Sequence, residues 1–184
     1  FANELSMICS EFSINVREVI NIANKHPRVN ILKPGCGVGG HCIAVDPWFL
    51  VDSSPALTRM IKTARLVNDQ KSIWVVEKIL KRGNEFERKF LKKPKIGILG
   101  ITFKPDVDDL RESPALFIVN SLMSKGLDVL ICEPNLKKHN KFKLITLDEV
   151  MKNSDLIISL VSHSQFKKIK IPYDKSIDFC GLFE

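Results

Sequence analysis

Residues 34–49 read PGCGVGGHCIAVDPWF, and they contain Gly35, Gly37, Gly39 and Gly40 followed at once by His41 and Cys42. A glycine-rich loop can bring backbone N–H groups close to an anion. Cysteine and histidine together are the usual ligands of zinc, and a thiol that is presented to a substrate can act as a nucleophile. The stretch therefore raises three possibilities, which are a phosphate-binding loop, a metal site and a catalytic cysteine.

The phosphate-binding possibility starts from Gly35, Gly37 and Gly40, which satisfy the pattern GxGxxG. A dinucleotide fingerprint requires an uninterrupted helix opening at the loop and an acidic residue about 20 positions further on, at the end of a second strand. Pro47 interrupts the helix, and no acidic residue of that kind follows. The later GILGITFK carries bulky side chains where glycine would be needed. Neither stretch is expected to bind a dinucleotide.

The metal possibility depends on Cys36, His41 and Cys42, which supply three ligands without a CxxC partner elsewhere in the chain. A structural zinc site needs four ligands at short distance, so no metal site is expected. The five cysteines are odd in number and scattered, which indicates reduced thiols rather than a disulfide framework.

The nucleophile possibility depends on Cys42 and Asp46, which are four positions apart and share one face if the turn between them is helical. Backbone N–H groups at a helix N-terminus stabilise a thiolate, and the cysteine becomes a better nucleophile. A buried cysteine without chemistry is the other interpretation. Spacing alone does not decide between the two.

The composition is that of a globular protein, with 45% hydrophobic and 27% charged residues and a mean hydropathy of +0.01. The sequence shows no apolar run long enough to span a membrane and no signal segment. We therefore expect a cytoplasmic protein. The net charge of +7 suits an anionic substrate such as a nucleotide, whereas no nucleic-acid recognition module is visible.

The hydrophobic pattern predicts an α/β protein in two parts. Residues 1–25 are expected to be one or two helices, and Ser54–Pro55 is expected to begin a long amphipathic helix that ends near Gly83 or a little beyond. Apolar strands within 95–101, 127–134 and 155–163 then alternate with helices within 113–126 and 146–154, and the tail at 174–179 could add a fourth strand. This alternation predicts a doubly wound parallel sheet. Ligands of such a sheet collect at the carboxyl ends of the strands, here Thr102–Lys104, Glu133–Pro134 and Ser162–Ser164.

Two longer stretches, VGGHCIAVDPWF at 38–49 and ITFKPDVDDLRESPA at 101–115, resemble the catalytic-cysteine motif and the second signature of the UDP-glucose/GDP-mannose dehydrogenase family. HPRVNILKPG at 26–35 and the PWF at 47–49 are most similar to the branch of that family that acts on UDP-N-acetyl-D-mannosamine. The similarity extends over essentially the whole chain. It implies a central helical, dimer-forming region at 1–92 and a Rossmann-like UDP-sugar-binding domain at 93–184.

The resemblance implies an NAD-dependent oxidation of a UDP-sugar C6 hydroxyl to a carboxylate. Cys42 would form a thiohemiacetal and then a thioester, and Asp46 would assist the hydrolytic water. The same matching implies contacts with the UDP-sugar by Gly39, Phe103 and Lys104. His26 and Arg28 would reach it across a homodimer interface on the long helix, and Arg111 would contact NAD. A salt bridge with Asp108 or Asp109 is the other role open to Arg111.

Two departures from the family pattern accompany the resemblance. The family's N-terminal NAD-binding domain is absent from these 184 residues, and the chain opens without an initiator Met. We therefore expect a piece of a longer protein that is inactive alone. The family's DxRG or DxKG is replaced by DFCG, with Cys180 at the basic position. Two alternatives stay open. One is a different substrate, such as UDP-glucose or UDP-N-acetylglucosamine, and the other is that the chain is a non-catalytic nucleotide-sugar binding or dimerisation module.

Overall fold

The structure, a computed structural model, describes residues 1–167 and 169–183. Lys168 and Glu184, which fall within the expected second domain, lie outside the described residues. The helices are α1 (Ala2–Glu11), α2 (Val16–Ala23), α3 (Asp46–Ser53), α4 (Arg59–Phe90), α5 (Pro114–Ser124) and α6 (Leu147–Asn153). The strands are β1 (Lys95–Leu99), β2 (Asp128–Cys132), β3 (Leu156–Ser159) and β4 (Ser176–Asp178), and 3-10 turns cover Ser164–Phe166 and Tyr173–Lys175.

The four strands form a parallel sheet in the order β2-β1-β3-β4. Leu99 at the end of β1 is in register with Cys132 of β2 and Ser159 of β3, so the three carboxyl ends meet at one edge. Helices α4 and α5 cover one face of the sheet, and α6 covers the other. The predicted doubly wound fold and its fourth strand are confirmed.

The central strand β1 is buried on both faces, which is why its apolar run is nearly continuous. Ile98 is fully buried among Val75 and Ile79 of α4 and Ile118 and Leu122 of α5. The long helix is therefore part of the core of the sheet domain. Because α4 also carries contacts to α1 and α3, it fixes the N-terminal helices relative to the sheet.

The predicted start of the long helix is wrong, and the helix extends further beyond Gly83 than expected. Ser54 ends α3 instead of starting α4, because its N–H bonds the carbonyl of Leu50 at 3.0 Å, and α4 begins only at Arg59. Gly83 lies buried inside α4, which continues to Phe90 and ends where Leu91 adopts a left-handed φ of 53°. An isolated glycine did not end the helix because apolar packing of α4 continues past it.

Both crossover helices have a capped N-terminus. The Ser113 hydroxyl accepts a hydrogen bond from Leu116 N, with Pro114 at the first position of α5. Thr146 and Glu149 form a reciprocal capping box at the start of α6. None of the helices within 1–167 and 169–183 has the length and apolar character to cross a membrane.

Candidate active site

The glycine loop (residues 34–40) is held by polar side chains of two helices. Asn3 of α1 accepts a hydrogen bond from Gly35 N at 2.9 Å. Ser72 of α4 donates to the carbonyl of Cys36 at 2.9 Å. The loop has almost no regular backbone pairing of its own, so these side chains supply partners that its backbone groups need.

Asn68 of α4 holds the loop through both backbone groups of Val38. Its Oδ1 accepts from Val38 N at 2.8 Å, and its Nδ2 lies 3.3 Å from the Val38 carbonyl. Arg65 Nη1 also donates to that carbonyl at 3.3 Å. Sequence reasoning missed Asn3, Asn68 and Ser72. The available signal was a run of polar residues, NDQKS at 68–72, inside an amphipathic helix whose buried face should be apolar.

The glycine loop packs directly against the β1–α5 segment (residues 101–113). Gly40 N donates to the Arg111 carbonyl at 3.0 Å. A Cβ at Gly39 would collide with the Glu112 carbonyl, and one at Gly40 would lie 2.9 Å from the Phe103 ring. Gly40 also has a φ of +89°, a conformation that side-chain-bearing residues rarely adopt. Glycine is therefore needed here for the close approach of two backbones.

The β1–α5 segment is in turn held by the buried carboxylate of Glu133 at the end of β2. Its Oε2 accepts from Ile101 N at 2.8 Å and Thr102 N at 3.2 Å, and its Oε1 accepts from Asn135 N at 3.0 Å. Burial alone would raise the pKa of Glu133, but the hydrogen bonds from His163 and these amides lower it overall. Because its oxygens are occupied, Glu133 cannot serve a ribose as the acidic residue of a dinucleotide site does.

His163 is fully buried below the same segment. Its Nδ1 accepts from Asp106 N at 2.9 Å, so the ring proton lies on Nε2, which faces Glu133 Oε2 at 3.0 Å. Asp106 has a left-handed φ of 60°, and Thr102 Oγ1 donates to the Lys104 carbonyl at 3.0 Å. This network fixes the backbone from which Lys104 projects.

Between the glycine loop and the strand ends lies a cavity of about 390 Å³, here called the loop cavity. The predicted residues Gly39, Phe103 and Lys104 line it, together with Lys33 and Cys180. Its other lining residues are Pro34–Val38, Ile43, Thr102, Pro105, Pro114, Ala115 and Leu160–Ser162. The cavity stands at the point where β1 and β3 lead their chains to opposite sides, which is where doubly wound sheets bind ligands.

Cys42 is exposed at the exit of the glycine loop, so the interpretation of a buried thiol is wrong. Its carbonyl accepts from Asp46 N at 2.8 Å, which confirms a helical turn between the two residues. Asp46 is exposed at the first position of α3. The sequence reasoning treated Pro47 as a break, whereas the structure shows that it stands in the first turn of this helix.

Asp109 is the main cause of the raised pKa of the Arg111 guanidinium, since its Oδ2 is 2.6 Å from Arg111 Nη2, and the charge of Cys42 adds a smaller contribution. The same hydrogen bonds lower the pKa of Asp109 to about 2. Arg111 therefore forms the salt bridge that the sequence left open as its other role, and Asp109 is the partner. Arg111 and Asp109 also brace the segment on which Gly40 rests.

His26 and Arg28 lie apart from this group, on an exposed loop after α2. His26 Nδ1 accepts from Arg28 N at 3.3 Å, and neither residue lines the loop cavity. Asn24 braces their loop, because its amide bonds both the N–H and the carbonyl of Ile31, at 2.7 and 2.9 Å. No hydrogen bond or ion pair within the described residues joins His26 or Arg28 to Cys42.

Cys180 lines the loop cavity where the family pattern has a basic residue. Burial and the neighbouring Asp178 carboxylate raise the pKa of Cys180 to about 12. Burial, followed by the charge of Cys180, also raises the pKa of Cys36 well above its usual range. Neither thiol is a nucleophile near neutral pH. The part of the chain that the structure describes contains no group of three or more His, Cys, Asp and Glu side chains placed to hold a metal.

Two family models match the chain. Residues 1–70 match the central domain of the UDP-glucose/GDP-mannose dehydrogenase family, and residues 97–177 match its UDP binding domain. Together the two matches span most of the chain in the order that the motifs predicted. The chain belongs to the UDP-glucose/GDP-mannose dehydrogenase family.

Individual relatives agree with this assignment. A UDP-N-acetyl-D-mannosamine dehydrogenase of Campylobacter jejuni is 51% identical over 98% of this chain and 44% of its own length. An NDP-N-acetyl-D-galactosaminuronic acid dehydrogenase of Ralstonia nicotianae is 47% identical over 92% of this chain and 40% of its own length. A solved UDP-N-acetyl-mannosamine dehydrogenase of S. aureus has a TM-score of 0.83 and 37% identity, with 100% of this chain and 44% of that one covered. The chain thus spans less than half the length of these proteins.

Proposed function

We propose that this chain is the part of an NAD-dependent nucleotide-sugar 6-dehydrogenase that holds the UDP-sugar and attacks its C6 carbon. The substrate proposed is UDP-N-acetyl-D-mannosamine, and the product is UDP-N-acetyl-D-mannosaminuronate. The observation that carries the proposal is the exposed Cys42 at the end of a glycine loop that walls a cavity containing two lysines. Residues 1–92 are assigned to the central region and 93–184 to the UDP-sugar-binding domain.

Substrate binding is assigned to the loop cavity. A diphosphate carries two negative charges that Lys33 and Lys104 would neutralise, and backbone N–H groups of the glycine loop would add hydrogen bonds. Gly39 lines the loop cavity and would contact the sugar through its backbone, and the Phe103 ring lies against Gly40. Because Cys180 cannot contribute a cation, the two lysines carry the charge recognition in this chain.

The chemistry is assigned to Cys42 and Asp46. The Cys42 thiolate adds to the C6 aldehyde and forms a thiohemiacetal, and loss of a hydride from that carbon leaves a thioester. Water then hydrolyses the thioester, with Asp46, one helical turn away, orienting the water and taking its proton. NAD, when bound, supplies the hydride acceptor for both oxidations, and the exposed Arg111 beside Cys42 fits its pyrophosphate.

The position of His26 and Arg28 is explained by a second copy of the chain. Both are exposed and make no described contact with Cys42, so we propose that they complete the site of a partner subunit. Helix α4 provides a surface for such a homodimer, since Leu66 and Ile73, seven positions apart on one face, are 50% and 42% exposed. A cytoplasmic location fits a protein that uses nucleotide sugars and NAD.

The activity test follows NADH absorbance with the intact protein on UDP-N-acetyl-D-mannosamine, UDP-N-acetylglucosamine, UDP-N-acetylgalactosamine and UDP-glucose. The galactosamine compound is included because the Ralstonia relative is named for that sugar acid. Turnover should be highest with the mannosamine compound and should vanish in Cys42→Ala. The matched control is Cys9→Ala, a buried thiol that lines neither the loop cavity nor its surroundings, which should retain turnover. Saturable UDP-sugar binding without NADH formation would instead indicate a binding module.

The dimer is tested by mixing two inactive variants. Cys42→Ala keeps Arg28, and Arg28→Ala keeps Cys42, so a mixed dimer holds one complete site if Arg28 acts across the interface. Co-refolded chains should recover up to about a quarter of wild-type turnover, because half of the dimers are mixed and each has one of two sites. If the mixed chains form a dimer of the expected mass but recover no turnover, Arg28 acts within its own subunit's site or lies outside the site.

A further inference from the structure

Two strained backbone positions lie in the β1–α5 segment. Within residues 1–167 and 169–183, four residues other than glycine have a left-handed φ, and two of them are Asp106 and Glu112, at 60° and 48°. Residues with a side chain rarely adopt this conformation, and it persists only where the surroundings hold it in place. The same segment lines the loop cavity through Thr102–Pro105. The contacts that hold Asp106 therefore bear on the shape of that cavity.

Asp106 is held by the chain that follows β3. Its carboxylate Oδ1 accepts from the Ser164 N–H at 2.8 Å and from the Ser164 hydroxyl at 3.0 Å. Its own N–H donates to Nδ1 of the buried His163 at 2.9 Å. The residues just before this anchor, Leu160–Ser162, line the loop cavity. Asp106 thus ties the segment after β1 to the segment after β3, and both segments form walls of the cavity.

The turn from Thr102 to Asp106 leaves the backbone of Lys104 little freedom. Thr102 Oγ1 donates to the Lys104 carbonyl at 3.0 Å, and Pro105 restricts the residue before it to an extended backbone. The Lys104 side chain is exposed, and its Nζ lies 5.4 Å from the centroid of the Phe103 ring. Because the turn is fixed at Thr102 on one side and at Asp106 on the other, the anchor at Asp106 determines where the ammonium group can reach.

We propose that Asp106 is a positioning residue for the UDP-sugar, which clamps the Lys104 turn to Ser164 and so holds the Lys104 ammonium group in the wall of the loop cavity. The inference rests on the proposed function, since that function places the diphosphate in this cavity. Asp106 does not line the cavity, so it acts through Lys104 without touching the substrate. Aspartate suits the position, because it adopts the left-handed conformation more readily than most residues with a Cβ and its carboxylate accepts from both donors of Ser164.

The test measures the affinity of the intact protein for UDP by isothermal titration calorimetry, and KM and kcat for UDP-N-acetyl-D-mannosamine by NADH absorbance. Asp106→Gly removes the carboxylate but leaves a residue that adopts the left-handed conformation freely. We expect UDP binding to weaken about fivefold, the equivalent of one lost hydrogen bond. KM should rise by a similar factor, with a smaller effect on kcat, because Cys42 and Asp46 lie outside the Lys104 turn.

Asp106→Asn separates this role from a general disturbance of the turn. Asparagine keeps an oxygen that accepts from the Ser164 N–H and also tolerates the left-handed conformation. It should bind UDP more tightly than Asp106→Gly and close to the wild-type affinity. Equal weakening in the two variants would overturn the assignment of the role to the clamp with Ser164.

Asp155→Gly is the matched control. The Asp155 carboxylate accepts from the Lys95 N–H at 2.9 Å, so it also joins the chain of β1 to the chain of β3, but at the opposite edge of the sheet. Asp155→Gly should lower the melting temperature without changing the affinity for UDP. Equal UDP affinities of Asp106→Gly and Asp155→Gly would overturn the inference, because the clamp would then contribute to stability alone.

Ser164→Pro decides the outcome if circular dichroism shows that Asp106→Gly is unfolded. Proline removes the hydroxyl and the N–H that bond Asp106, and it fits the first position of the 3-10 turn because His163 before it already has an extended ψ of 145°. This variant should also weaken UDP binding. Wild-type affinity in Ser164→Pro would overturn the inference.

Lys104→Met separates failure of the inference from failure of the proposed function. The wild type should bind UDP, and Lys104→Met should bind it more weakly. If both results are obtained but the Asp106 and Ser164 variants bind like the wild type, only the inference fails. Absence of UDP binding by the wild type would overturn the proposed function and the inference together.

Discussion

The side-chain amide of Asn68 pairs with both backbone groups of Val38, accepting from its N–H at 2.8 Å and lying 3.3 Å from its carbonyl. This is the pairing that a neighbouring strand would supply, made here by one side chain of a helix. Asn68 Oδ1 also accepts from Asn3 Nδ2 at 3.2 Å, and Asn3 holds Gly35. Helices α1 and α4 and the glycine loop therefore form one hydrogen-bonded unit that ends at Cys42.

Asn68→Leu should release the glycine loop without disturbing the core. We expect a loss of about 0.5–1.5 kcal/mol in the free energy of unfolding, because the Val38 N–H loses its protein partner at a site that water can reach. Amide exchange should accelerate at Val38 and its neighbours, and turnover of the intact enzyme should fall. Urea unfolding and hydrogen exchange measure both effects. Asn153→Leu, at an exposed asparagine of α6, is the control, and a similar loss there would deny Asn68 a special role.

Gly40→Ala should be costly and Gly35→Ala should be nearly neutral. Gly40 has a φ of +89° and its Cβ would meet Phe103 at 2.9 Å, whereas a Cβ at Gly35 meets nothing within 4 Å. The unfavourable backbone alone costs on the order of 1–3 kcal/mol. Thermal unfolding of the two variants measures the difference. Equal melting temperatures of the two variants would show that the loop shifts without cost to accommodate a Cβ at Gly40.

His163→Leu should destabilise the protein by about 1–3 kcal/mol, because it leaves the buried Glu133 carboxylate without its side-chain donor. Adding Glu133→Gln should recover part of the loss, since the amide carries no charge to leave unpaired. His139→Leu, at a half-buried histidine stacked on Phe142, is the control. Denaturant unfolding of the wild type, the two single variants, the double variant and His139→Leu gives the comparison, and additive effects of the two changes would deny the coupling.

Lys71 should make stability rise with pH above about 8. Its pKa is about 8 in the folded protein and about 10.4 in an unfolded chain, so between these values the unfolded state binds more protons. Raising the pH then favours folding, by about 3 kcal/mol if this group acted alone. Unfolding by urea between pH 7 and 10.5 should show the rise in wild type but not in Lys71→Met. Parallel curves would mean that Lys71 titrates normally.

Local signals in the sequence were sufficient to predict the helices and strands and their order along the chain. Ser113–Pro114 and the Thr146–Glu149 box satisfy N–H groups within four residues of themselves, so their caps could be read without tertiary context. The apolar strands needed only their own composition. The ends of α4 could not be predicted from local signals alone. Ser54 ends the preceding helix α3, and α4 continues through Gly83 because residues on both sides of it pack against the sheet.

The sequence by itself determined the parallel α/β fold, the strands whose ends border the site and, through two long motifs, the family. Those are properties of short-range pattern and of residue identity. Only the tertiary structure decided that Cys42 is exposed, that His26 and Arg28 lie apart from it, and that Asn68 holds the loop. These depend on contacts between residues 30 or more positions apart, and such contacts have no local signature because they arise when packed helices bring distant polar groups into register.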